Sequence, residues 1–143
     1  VRAAAELAAA QPGGRPVKGE LLAKAQGIPL NFLENILTEL RRAGIVRSRR
    51  GADGGYQLAL PAEDVTIADV LRAVEGPLAA VQGVQPQDLA YRGAAEHLPE
   101  VWVAVRASLR GVLEDVTLAD LATGRLPRAV TSRTEDPDAW ARR

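Results

Sequence analysis

Between residues 41 and 50 the chain reads RRAGIVRSRR, five arginines in ten positions with no acidic residue among them. Gly51, Gly54 and Gly55 follow at once, around a single Asp53, in the run RRGADGGY. A solvated surface normally interleaves both signs of charge, so a one-signed run is addressed to an anion. Guanidinium groups pair with phosphate oxygens through two parallel hydrogen bonds. Glycine permits positive φ and lets a backbone come close to a partner. Residue types and spacing together point to a polyanion.

Other chemistries find little support. No serine–histidine–acid set, paired-carboxylate motif or phosphate-binding glycine loop stands out, and an enzyme is not expected. The chain has no cysteine, which excludes disulfides, thiolate metal sites and cysteine nucleophiles. His97 is the single histidine. With Asp88, Glu96 or Glu100 it makes a poor transition-metal site and reads as an exposed residue at a helix start. No cofactor and no bound metal are expected.

Nearly half of the 143 residues are apolar and a quarter charged, the composition of an ordinary globular chain. The apolar runs fall short of the roughly 20 residues that span a bilayer, and residues 1–10 lack a secretory signal. No membrane partner is expected, and the absence of cysteine fits a reducing cytoplasm. There is also no methionine, so Val1 reads as a point inside a longer sequence, with a helix already under way. The net charge of zero hides an asymmetry: residues 1–60 carry nine Lys and Arg against five Asp and Glu, residues 61–143 nine against thirteen. The basic half is the half that holds the arginine run.

The elements that must position this run follow from periodicity and breakers. VRAAAELAAA reads as a helix closed by the Pro/Gly loop QPGGRP. VKGELLAKAQ is a second short helix with Leu21, Leu22 and Ala25 inward. After GIP, residues 30–43 form a third helix burying Leu33, Ile36, Leu37 and Leu40, with Pro29 at its start. This leaves Asn31, Phe32, Glu34, Asn35, Thr38, Arg41 and Arg42 facing outward. IVRSRR and YQLAL read as two strands joined by GADGG, a hairpin signal, with Tyr56, Leu58 and Leu60 toward the core. Thr66 caps a helix that ends at Gly76. Residues 77–97 stay ambiguous. Leu98, Trp102, Val105, Leu109, Val112 and Val116 recur with heptad spacing, predicting a helix about 28 Å long. Thr117 caps a last small helix, and the final residues read as a mobile tail. No internal repeat is apparent.

The fold class expected is therefore mostly α with a small β-hairpin. Three helices followed by a hairpin is the order of a winged helix-turn-helix, whose second paired helix presents its N-terminal end to the major groove. Asn31 suits a hydrogen-bonded base contact. Arg47, Arg49 and Arg50 suit phosphates or a narrow minor groove, and Gly54 and Gly55 the close-approaching tip. Lys18, at the entry to the second helix, and Asn35 complete the expected DNA-binding set.

The stretch LAKAQGIPLNFLENILTELRRAGIVRSRRGADGGYQLALP, followed by VTIADVLRAVEG and VTLADL, resembles the Rrf2 family of bacterial transcription regulators, with its IscR, NsrR and CymR types. The resemblance runs from residue 1 to about residue 126. It implies a homodimer of winged-helix domains joined by a long helix, here Leu98 to Val116. It places Asn31, Phe32 and Glu34 at the groove-facing start of the recognition helix and makes Arg50 the wing arginine. Many members hold an iron–sulfur cluster through three cysteines just before the long helix, whereas VQGVQPQDLAYRGAAEHLPEVW has none. The family's usual opening residues before Val1 are also absent.

The expected organisation is a DNA-binding domain over 1–76, a connecting segment or sensor region over 77–97, a dimerisation helix with a short final helix over 98–126, and a tail over 127–143. The expected function is a sequence-specific regulator of transcription, a repressor, binding double-stranded DNA as a homodimer on a palindromic operator without an iron–sulfur cluster. The alternatives are a module that docks a metabolic enzyme and a regulator that senses a small molecule.

Overall fold

A computed structural model describes residues 1–80 and 83–141. Val81 and Gln82 of the connecting segment, and residues 142–143 of the tail, lie outside the described residues.

The core is assembled from one face of each N-terminal helix. Helix α1 (Arg2–Ala10) buries Ala3, Ala4, Leu7 and Ala8. Three of these four are alanines, and small side chains let neighbouring elements approach its axis. Helix α2 (Gly19–Gln26) buries Gly19, Leu22 and Ala23, while Leu21 and Ala25 are exposed. The inward placement expected for Leu21 and Ala25 is thus corrected. The helix starts at Gly19, and residues three and four further on share that face. Helix α3 (Leu30–Arg42) follows the expected stripe, with Leu33, Leu37 and Leu40 at 0% exposure and Ile36 half-buried.

Strands β1 (Val46–Arg49) and β2 (Gly55–Leu58) form an antiparallel hairpin, with Val46 opposite Leu58 and Arg49 opposite Gly55. Leu58 is buried and Tyr56 half-buried, but Leu60 is exposed. Leu60 lies beyond the end of β2, where strand alternation no longer governs direction. Val17 adds a rung on the other edge of β2: it and Tyr56 exchange two backbone hydrogen bonds, each 2.8 Å. The hairpin is thereby tied to the residue just before Lys18.

Helix α4 (Ile67–Glu75) is followed by the long α5 (Leu98–Leu113), the short α6 (Leu118–Thr123) and α7 (Arg128–Thr134). Helix α5 ends at Leu113, so at 16 residues it is about 24 Å long. Val116 lies past its end and is buried. From there the chain returns to the N-terminal unit. Leu118 N–H donates to Val65 O at 2.8 Å and Ile67 N–H to Val116 O at 2.9 Å, so Thr66 and Thr117 face each other across an antiparallel bridge.

Both threonines head a helix through a reciprocal cap. Asp69 N–H donates to Thr66 Oγ1 and Asp120 N–H to Thr117 Oγ1, each at 3.1 Å. The Asp69 and Asp120 carboxylates accept in return from the threonine N–H groups at 3.0 and 2.9 Å. VTIADV (65–70) and VTLADL (116–121) are therefore a six-residue repeat, contrary to the expectation of none. A match this short is inconspicuous in the sequence until the fold sets its copies side by side. Leu118 is fully buried in the common core, and α6 packs mainly on α1. The expected tail, for its part, holds α7 and a 3-10 turn over Pro137–Trp140. Among the described residues no helix is long and apolar enough to cross a membrane.

Candidate nucleic-acid interface

Three element starts converge at Gly19. The position that a Cβ would take there lies 3.5 Å from Tyr56 Cε2 of the hairpin and 3.6 Å from Leu30 Cδ1, the first residue of α3. Lys18, Asn31 and the β2 end of the hairpin are sequence neighbours of these three residues. The fold thus brings the entry of α2, the N-terminal end of α3 and the wing together. A Cβ at this meeting point would be in ordinary van der Waals contact with both side chains, so the three starts are closely packed.

On α3, Asn31, Phe32, Glu34 and Asn35 are all exposed. Phe32, at 60% exposure, is large for a solvent-facing apolar side chain. With Asn35 it also lines a cavity of about 610 Å³ that runs between α3 and α4. Along the same helix Arg42 is neutralised by Glu39 at 2.6 Å. Arg41 has no ion pair, since among the described residues no carboxylate lies within reach of it.

The wing carries its charge on one strand. Arg47, Ser48 and Arg49 of β1 are exposed, as is Arg50 at its end. In a strand, positions two apart share a face, so Arg47 and Arg49 project together. Neither they nor Arg50, Lys18 or Arg15 forms an ion pair among the described residues. Arg72 and Arg110, by contrast, are both held by carboxylates. Arg15 is the residue that sequence reasoning missed. It lines a cavity of about 620 Å³ with Lys18, Arg49 and Asp53, between the α1–α2 connection and the wing. The loop QPGGRP reads only as a breaker, and nothing in it announces that its arginine turns toward the hairpin. Asp53 offsets part of this charge but leaves a cationic excess.

The wing glycines have a cause inside the molecule. A Cβ on Gly54 would sit 2.3 Å from Arg49 O, and one on Gly55 2.5 Å from Val17 O. Gly55 also has φ of 148°. These two glycines let the hairpin close on itself and on the Val17 rung. Gly54 is buried, which gives it a structural task before any contact with a partner.

The expected dimerisation residues divide. Val105 and Leu109 are 43% and 42% exposed, and Val101 beside them 52%. Leu98, Trp102 and Val112 are half-buried against the chain itself, and Val116 belongs to the N-terminal core. Trp102 Nε1 is buried and has no acceptor among the described residues. His97 stands exposed at the start of α5, 3.4 Å from Glu96 and 3.7 Å from Glu100.

The profile of the Rrf2 family, described as iron-dependent transcriptional regulators, matches residues 1–124. The chain belongs to the Rrf2 family. A Mycobacterium tuberculosis protein named as an HTH-type transcriptional regulator is 52% identical over 136 residues, covering 95% of this chain and 84% of the relative. The HTH-type transcriptional regulator CymR of Bacillus subtilis is 33% identical over 111 residues, covering 78% and 75%. The solved structure of that CymR superposes with a TM-score of 0.70 at 33% identity, covering 85% of this chain and 88% of the other. T. potens IscR follows at 0.69 and 33%, covering 86% and 80%. As a member of the Rrf2 family the chain is a transcriptional regulator with the winged-helix fold, and the relatives are named as regulators, not enzymes.

The iron in the family's description is not matched by the donors present. Cluster irons are mainly thiolate-ligated, and this sequence has no cysteine. Among the described residues no group of three His, Cys, Asp or Glu side chains could hold a metal. The residues of this Rrf2 protein do not fit an iron–sulfur cluster.

Proposed function

We propose that this protein binds double-stranded DNA as a homodimer and represses transcription from a palindromic operator. The observation that carries this reading is the convergence at Gly19. It sets Lys18 and Asn31 beside the start of β2, and β2 pairs with β1, the strand that carries the unpaired arginines. In the proposed complex Asn31, Phe32, Glu34 and Asn35 enter the major groove from the N-terminal end of α3. Asn31 donates to and accepts from an adenine edge, and Glu34 accepts from a cytosine amino group. Lys18, Arg15, Arg47, Arg49 and Arg50 meet the flanking phosphates, while Gly54 and Gly55 keep the wing tip thin. Asp53 sits near this charge and disfavours misplaced phosphates.

The second copy is supported by α5, in which no residue is fully buried within the chain. Its exposed Val101, Val105 and Leu109 offer the partner an apolar face, and a two-fold pair of reading heads calls for a two-fold operator. Repression follows from a dimer covering its site, in the cytoplasm where bacterial DNA lies.

Fluorescence anisotropy on genomic fragments at rising salt tests the reading. Affinity should fall with a log–log slope near −0.9 per phosphate neutralised. Affinity indifferent to salt, or equal for every fragment and random DNA, overturns it.

A further inference from the structure

DNA contact leaves a second group of arginines unexplained. A cavity of about 400 Å³ opens between the end of α4, the segment after it and α5. Arg72, Arg106 and Arg110 line it, with Gly76–Leu78 and Gln85 between them, and no carboxylate is among its described lining residues. One acid outside the cavity serves two of the three cations. Glu114 accepts from Arg110 Nε at 3.0 Å and also from Arg72. The Arg110 guanidinium, and after it Arg72, holds the Glu114 carboxyl below the usual carboxylate range. Arg72 additionally stands 3.7 Å from Asp69 Oδ1.

Arg106 is the cation left over. It is half-buried, and its Nη1 donates to Gln85 Oε1 at 2.9 Å and Gln87 Oε1 at 2.6 Å. Both acceptors are neutral amides. Its Nε and Nη2 edge, the edge that meets an oxyanion with two parallel hydrogen bonds, has no acceptor among the described residues. A partly desolvated charge without a counter-charge is costly, and a bound anion removes that cost.

We propose that this cavity is an effector site for a small organic anion carrying carboxylate or phosphate groups, held by Arg106 with Arg72 and Arg110. Its volume is at the small end of ligand sites. Its walls come from two parts of the molecule: α4 packs with the DNA-binding core, and α5 is the proposed dimer helix. An anion that draws Arg72 and Arg110 away from Glu114 alters how the winged unit is held on α5, and so alters the spacing of the two reading heads. This regulatory role rests on the DNA-binding reading above; the binding site itself does not.

The test is calorimetric titration of the intact protein with sodium phosphate and with sodium succinate, against sodium chloride at matched ionic strength. At least one probe should bind saturably. Arg106→Gln should weaken it about tenfold or more, the worth of one lost charge-assisted contact. Arg92→Gln, which removes an arginine away from the cavity, should bind as the parent does. Two results overturn the site: neither probe behaving differently from chloride, or Arg106→Gln binding undiminished, which would put the anions on the DNA-facing arginines. Anisotropy with DNA and the saturating anion should then shift affinity about fivefold or more. An unshifted affinity overturns the regulatory role. Failure of the anion-free protein to bind any DNA overturns the earlier reading, and the calorimetry still judges the site.

Discussion

Single side chains carry two separable tasks at the wing, and substitution tells them apart. Arg50 is exposed and unpaired, so Arg50→Ala should leave the thermal midpoint unchanged while weakening DNA binding and reducing the salt slope by about one. An unchanged affinity would remove Arg50 from the interface. Gly55→Ala works through the opposite route. A Cβ there would meet Val17 O at 2.5 Å, so the backbone must shift, at a cost on the order of 1–3 kcal/mol read by urea denaturation. Stability equal to the parent would show that the rung at Val17 yields easily. The arginines were legible in the sequence because a one-signed run needs no fold to be noticed. The cause of the glycines was not, since the atoms they make room for include a carbonyl 38 residues earlier in the chain.

Among elements, the periodic ones were read well and the connections poorly. The stripe of α3 and the hairpin turn follow from local spacing, and the structure shows both. Leu21 and Ala25 were misplaced because α2 is eight residues long, and in two turns an apolar face is ambiguous until the start is known. The threonine caps belong to this scale too. Thr66→Ala and Thr117→Ala should each lower stability by about 0.5–2 kcal/mol in urea unfolding. Because the two residues meet across one bridge, their costs should combine non-additively; strict additivity would separate the two caps. Glu114, between α4 and α5, makes a pH-dependent link. Its carboxyl titrates lower in the folded chain than in the unfolded one. Its stabilisation is therefore present above the unfolded value and lost as pH falls through the folded value. The difference in thermal midpoint between the parent and Glu114→Gln should be positive at neutral pH and vanish in acid. A difference constant with pH would argue against the link.

For the whole molecule, the decisive question is what covers α5. Leu109→Glu places a charge on the exposed apolar face and should convert the proposed dimer to monomers in sedimentation velocity, with DNA affinity falling in step. An unaltered assembly would move the dimer contact off this helix. The heptad pattern anticipated a helix here but not its sharing out. Half of the expected seam turns toward its own chain at Leu98, Trp102 and Val112, and Val116 is taken into the N-terminal core. The return of the chain to Val65–Ile67, just past the end of α5 at Leu113, is what draws Val116 inward.

The sequence by itself determined what is local or compositional: the α3 stripe, the hairpin, the cationic run, the absence of thiolates and the family. Each is set by neighbours within a few residues or by residue type alone. Tertiary structure alone decided which starts converge at Gly19, where α6 packs, why Gly54 and Gly55 lack side chains, and that Arg72, Arg106 and Arg110 share one cavity. Those outcomes depend on contacts between residues far apart in the chain, whose distances only the packed core defines.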